Sequence, residues 1–170
     1  ALLRRHAKAM RRMHQNFFSY YTDHRCVVST DPLRFDFNYM KPYLELFFSE
    51  GFTHLMTGGM LTLGWLPDGR PDSMSGDFKL ALFPEVLADS AEGYAVLTAY
   101  VKAFSEFLRE NGWLDRAYFQ IVDEPDVHCP DEDALLRRRV TYYMASNILR
   151  RYVPNAHVIE AVKTTRFKSG

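Results

Sequence analysis

Residues 117–125 read Ala117-Tyr118-Phe119-Gln120-Ile121-Val122-Asp123-Glu124-Pro125. Aromatic and β-branched side chains fill four of its first six positions, which predicts a buried β-strand ending in two adjacent acids and a proline. Upstream, Tyr94, Leu97, Val101, Phe104 and Leu108 recur at spacings of three and four, so an amphipathic helix leads into the strand. Asp89 and Glu92 form a D-x-x-E capping box at its start, and Gly112 stops it. Downstream, Asp131 stands where a helix N-cap belongs. Leu136, Val140, Tyr143, Met144, Ile148 and Tyr152 are expected to face inward from that helix. Pro154-Asn155 ends it, and residues 157–162 (HVIEAV) read as the next strand.

The N-terminal half repeats the pattern. Residues 2–14 carry Leu3, Ala7, Met10 and Met13 at helical spacing, and residues 16–21 (NFFSYY) read as a strand. Pro42 suits the first turn of a helix striped by Tyr43, Leu44, Phe47 and Phe48, with Gly51 just past its end. Residues 52–57 (FTHLMT) form a strand closed by Gly58-Gly59. Residues 60–88 hold the turn formers Gly64, Pro67, Gly69, Pro71 and Gly76, yet Trp65, Phe78, Leu82 and Phe83 predict an ordered, packed loop.

This alternation predicts an α/β fold with about four parallel strands covered by helices. It is either a doubly wound sheet or part of a (β/α)8 barrel. No G-x-G-x-x-G or P-loop follows a strand, so the nucleotide-binding versions lack their fingerprint and no cofactor is expected. A whole barrel takes about 250 residues. A chain of 170 residues then reads as a single partial-barrel domain over residues 1–170, with exposed apolar edges. The first helix starts without an N-cap, as if the chain had been cut upstream.

Composition narrows the classes. Aromatic residues at 15% are too many for a disordered chain, and no apolar run approaches the length of a membrane span. The net charge is zero and no basic face stands out, so a nucleic-acid partner is not expected. Cys26 and Cys129 read as free thiols rather than a disulfide framework.

The densest group of reactive side chains is Asp123-Glu124-Pro125-Asp126-Val127-His128-Cys129-Pro130-Asp131. It lies past the C-terminal end of a strand, the edge that carries sites in parallel α/β folds. Three readings compete. Asp123 and Glu124 suit acid/base chemistry, because two carboxylates held close cannot both ionise cheaply and one becomes a proton donor. Asp126, His128, Cys129 and Asp131 are legitimate metal ligands, but their spacing matches no metal motif. The plainer alternative makes Asp131 a helix cap, and Asp126 and His128 solvated loop residues.

Strand parity separates the two acids. Gln120, Val122 and Glu124 share one face, and Phe119, Ile121 and Asp123 the other. If Phe119 and Ile121 pack on helices, Glu124 points into the barrel, and Asp123 joins it only through a bulge or an early strand end. Sugar rings lie on aromatic faces. Trp65 follows a strand on the site side, and Tyr21 and Asp23 close the first strand toward the same side. Trp113 precedes its strand and reads as packing. His14, Asn16 and His54 read as structural.

The helix before Asn111-Gly112-Trp113, the strand ending in Asp123-Glu124-Pro125, and the junctions at Arg11-Arg12-Met13-His14-Gln15-Asn16 and Gly51-Phe52 together resemble the catalytic domain of glycoside hydrolase family 123 and its relatives. The resemblance implies a (β/α)8 barrel cleaving β-linked N-acetylgalactosamine with retention, the substrate's own acetamido oxygen acting as nucleophile. It also implies that Glu124 is the general acid/base and that Asp123 orients the acetamido group. Trp65, Tyr21, Asp23 and His128 then stand as substrate contacts. No metal or cofactor is implied; the partner is a glycan or glycoconjugate. Export of the whole protein, whether secreted, periplasmic or held at the cell surface, would suit that role. The alternatives are a non-catalytic carbohydrate-binding domain of the same fold and a glycosidase for another sugar.

Overall fold

The computed structural model describes residues 2–64, 68, 72, 76–127 and 129–162. Among them are four α-helices: α1 (Leu2–Arg12), α2 (Lys41–Ser49), α3 (Ala91–Glu110) and α4 (Glu132–Tyr152). The strands are β1 (Phe17–Tyr20), β2 (Val27–Thr30), β3 (Leu33–Phe35), β4 (His54–Thr57), β5 (Leu61–Thr62), β6 (Lys79–Leu80), β7 (Ala117–Phe119) and β8 (His157–Val158). The main sheet has four parallel strands in the order β1-β4-β7-β8. Strand order follows chain order across it, without the reversal that opens a crevice in a doubly wound sheet.

Period-two sidedness divides the sheet as its sequence demands. On one face Phe18 stacks on Phe47 of α2 at 4.7 Å, and Phe119 meets Phe104 of α3 edge-on at 6.5 Å. On the other, Phe17, His54, Tyr118 and His157 form a ladder of rings crossing all four strands. Tyr118 lies 5.5 Å from Phe17, 5.5 Å from His54 and 5.1 Å from His157. His54 also shares a hydrogen bond with the Thr53 hydroxyl, 2.8 Å away, which satisfies it structurally. Trp113 is buried between Phe48 and Phe107 and is a packing residue.

Two hairpins lie outside the alternation read from the sequence. β2 and β3 pair antiparallel, and Phe35 leads from them onto Tyr100 of α3, ring centroids 5.6 Å apart. β5 and β6 pair within the segment 60–88, where Phe78 and Leu80 are buried and Leu82 and Phe83 pack on the core. That loop is therefore ordered over its described residues; Trp65 lies outside them.

Three local expectations are corrected. The cap of α3 is Ser90, not Asp89: its hydroxyl accepts from the Gly93 amide at 2.9 Å. The chain fits there only because position 93 has no side chain; a Cβ would stand 2.1 Å from the Leu87 carbonyl. In α4, Leu136, Val140 and Tyr143 are exposed, at 57%, 59% and 41%. The buried face is Ala134, Leu135, Arg138, Thr141, Ala145, Ile148 and Leu149. Ile148 is buried as expected, and Met144 and Tyr152 pack against the core. The expectation failed in the first half of the helix, where the buried positions include Ala134, Arg138 and Thr141, which an apolar count passes over. Finally, β8 stops at Val158; Ile159 N still donates to the Phe119 carbonyl at 3.0 Å, and Glu160 lies beyond that last bond. Asp131 caps α4 as expected, accepting from Ala134 N at 2.7 Å.

Candidate active site

Because β1, β4, β7 and β8 are parallel, the segments leaving their C-terminal ends share one edge of the sheet. These segments begin with Tyr21, Gly58, Gln120 and Ile159. The edge is not a continuation of the ladder. β7 ends at Phe119, and the Gln120 amide turns to the Thr57 hydroxyl at 3.3 Å. Met60 N and Leu61 N both donate to the Ile121 carbonyl, at 2.9 and 2.8 Å. Ile121 N and Val122 N both donate to Glu160 Oε1, at 2.7 and 3.3 Å.

Successive amides of an extended strand point to opposite sides. Two of them meeting on one oxygen therefore mean that the backbone at 121–122 has left the extended form. That break supplies the bulge which parity required for Asp123. The Gln120 side-chain amide donates to Asp123 Oδ1 at 3.2 Å, so residues three apart, on opposite faces of a regular strand, now meet. Glu124 follows with φ of +47°, a left-handed conformation uncommon for a residue with a side chain. Asp123 and Glu124 are both exposed, while Ile121, Val122 and Pro125 beside them are buried. The pair is thus presented to solvent from a backbone anchored in the core.

Arg138 of α4 holds the other side of the pair. Fully buried, it donates through Nη1 to the carbonyls of Pro125 (3.3 Å) and Val127 (3.0 Å). Asp126, expected in solvent, is also buried, and its charge favours the Arg138 cation, which burial disfavours.

The remaining predicted residues are placed unevenly. Tyr21 is 58% exposed, and its ring lies against Gly58, where a Cβ would stand 2.0 Å from Cδ1. Gly59 passes the strand break: a Cβ there would lie 3.7 Å from Val122 Cα and 3.8 Å from Asp123 N. Asp23 caps the turn at His24–Cys26 and is gripped by Arg25, the shortest contact being 2.7 Å. Its hydrogen bond to Arg25 holds its carboxyl down to about 2. Trp65 and His128 lie outside the described residues. Among the described residues no three His, Cys, Asp or Glu side chains converge as a metal site. Cys129 donates its thiol to the Asp131 carbonyl at 3.5 Å; Cys26 is buried, and both cysteines are free.

Sequence reasoning missed Glu160. It was visible as the one acid in the apolar run 157–162, but nothing in the run showed which backbone it would meet. Burial pushes its carboxyl up to about 7, helped by the charge of Asp123 and opposed by the two backbone amides and the Tyr142 hydroxyl.

The family profile described as glycoside hydrolase 123, catalytic domain, matches residues 12–170. The chain belongs to glycoside hydrolase family 123. This family 123 domain is accordingly a glycosidase, and its substrate is a carbohydrate. No curated protein matches the chain. None of its described helices is long and apolar enough to cross a membrane.

Proposed function

We propose that this family 123 domain hydrolyses a β-linked N-acetylhexosamine, N-acetylgalactosamine foremost, with retention of configuration. The observation that carries the reading is the adjacent, exposed pair Asp123-Glu124, presented at the C-terminal edge of a parallel sheet by the irregular backbone that follows β7. In the first step Glu124 gives its proton to the glycosidic oxygen as the C1–O bond breaks. The substrate's acetamido oxygen closes on C1, forming an oxazolinium ion. Asp123, anchored by Gln120, orients the acetamido N–H and stabilises its positive charge. Water then attacks C1, the ring opens, and the Glu124 carboxylate takes the water's proton. No second carboxylate nucleophile is needed on another strand.

Tyr21, flat against Gly58, offers a ring for the sugar's C–H face. Asp23, held ionised by Arg25, is the proposed acceptor for a sugar hydroxyl, and Trp65 and His128 are proposed as further contacts. The sheet reads as one arc of a (β/α)8 barrel. Strand order that follows chain order supports this, as does the ring ladder on the face away from α2 and α3.

The test uses the protein with an aryl β-N-acetylgalactosaminide bearing a poor leaving group. Glu124→Gln should lower kcat by about 10²- to 10⁴-fold, the range of general acid catalysis. Asp123→Asn should slow the acetamido substrate and leave any cleavage of the 2-hydroxy analogue unchanged. Near wild-type turnover by Glu124→Gln sinks the assignment; equal cleavage of both substrates by the wild type sinks substrate assistance.

A further inference from the structure

The backbone that carries the acid pair is held at 121–122 by a side chain from the segment that follows β8, rather than by that segment's own backbone. The last backbone bond between β7 and β8 runs from Ile159 N to Phe119 O, at 3.0 Å. Beyond it a regular parallel ladder would offer main-chain carbonyls to the next amides of the β7 strand. Here the Glu160 carboxyl replaces them, and a single oxygen collects two consecutive amides. Successive N–H groups turned toward one point form a concavity suited to an anion. The Glu160 carboxyl is the acceptor built into it.

The consequence lies two residues downstream. With 121–122 extended, Asp123 would face away from Gln120. With both amides turned to Glu160, Asp123 Oδ1 reaches the Gln120 side chain, and Glu124 enters its left-handed conformation. Met60 and Leu61 grip the same peptide from the opposite flank, so the break is enforced from both sides. The groups that face Glu160 are the amides of Ile121 and Val122, the Asp123 carboxyl from the same loop, and the Tyr142 hydroxyl from α4.

We infer that Glu160 is a positioning residue of the catalytic pair, its carboxyl oxygen fixing the 121–122 backbone from which Asp123 and Glu124 project. The inference rests on the function proposed above, but its structural half is measurable without any substrate. Glu160 touches backbone rather than sugar, so its removal should lower kcat while leaving KM within about twofold.

Two readouts test it. The first is residue-resolved amide hydrogen exchange. Glu160→Ala should speed exchange at Ile121 and Val122 by about 10- to 100-fold, the scale of a lost hydrogen bond to a charged group. Protection of Leu97 and Phe104 in α3 should stay as in the wild type, which establishes that the variant is folded. The second is the pH profile. In the wild type, protection at 121–122 should change through neutral pH as the carboxyl titrates, and Glu160→Gln, nearly isosteric, should abolish that change. The Gln variant keeps the test open should the alanine variant fail to fold. On the aryl glycoside, kcat should fall more in Glu160→Ala than in Glu160→Gln, which still offers an acceptor oxygen.

Unchanged protection at 121–122 in a folded Glu160→Ala overturns the inference. So does a persisting pH change in Glu160→Gln, or a raised KM at unchanged kcat, which would make Glu160 a substrate contact. A wild type that cleaves no β-N-acetylhexosaminide, with protection still lost in Glu160→Ala, refutes the proposed function and supports the hold of Glu160 on the backbone.

Discussion

The lower part of the main sheet and its upper edge are built from the same four strands but held by different means. Below, backbone meets backbone in regular register, Tyr118 opposite His157 on one side and Met56 on the other, and rings stack in a row across the strands. Above, side chains replace the missing main-chain partners. Thr57 receives the Gln120 amide, Glu160 the next two, and Arg138 donates to the carbonyls that follow. A regular ladder assigns alternate residues to opposite faces, so it cannot bring Asp123 onto the side of Gln120. For Asp123 and Glu124 to act on one substrate as proposed, the ladder must fail locally, and the side chains of Thr57, Glu160 and Arg138 take over the backbone groups which that failure frees.

The comparison can be broken first from below. Phe119→Ala removes a ring fully buried against α3 and should cost about 4 kcal/mol, lowering the midpoint of a denaturant melt for the whole domain. Arg138→Met acts only above. It strands two carbonyls and leaves Asp126 without its buried cation, so a loss of about 3 kcal/mol is expected. Amide exchange should place that loss at 123–127, with β1 and β4 still protected; uniform loss of protection would show that edge and ladder are one unit.

The third prediction concerns pH. The carboxyl of Glu160 moves from an ordinary 4.5 up to about 7 in the fold, so between those values the folded protein binds more protons than the unfolded chain. Its contribution is fully present below pH 4.5 and is lost as pH rises through 7. The difference in unfolding free energy between wild type and Glu160→Gln should therefore drift by about 1–2 kcal/mol across that window, allowing for partial solvent contact. A flat difference would mean that Glu160 is solvated like a surface acid. The smallest effect is at Glu124. Its φ of +47° suits glycine, so Glu124→Gly should stabilise the domain by about 1 kcal/mol, seen as a rise of roughly 2–4 °C in Tm, while abolishing turnover. A lower Tm would show that the side chain, not strain, dominates there.

Much of this was legible in the residues themselves. Helical spacing located α3, parity assigned Phe119 to the helices, and the run 117–125 put two acids just past a strand. Periodicity reports which face of an element is apolar, and it placed Leu97, Val101, Phe104 and Leu108 of α3 in the core, while Tyr94 at the head of the same stripe is exposed. It misled in the first half of α4, where Ala134, Arg138 and Thr141 turn inward and Leu136, Val140 and Tyr143 stayed outside. It also passed over both hairpins, whose strands are too short to show a period.

By itself, then, the amino-acid sequence determined the alternation of helices and parallel strands and the place of Asp123 and Glu124 at a strand end. Side-chain spacing along one element encodes both. Only the tertiary structure decided how the acids are aimed. Their backbone is set by Glu160, 39 positions from Ile121, and by Arg138, 13 positions from Pro125. Contacts between a side chain and a distant peptide depend on the stagger of neighbouring strands and the rotation of a helix about its axis. Both are properties of packing that no local pattern records.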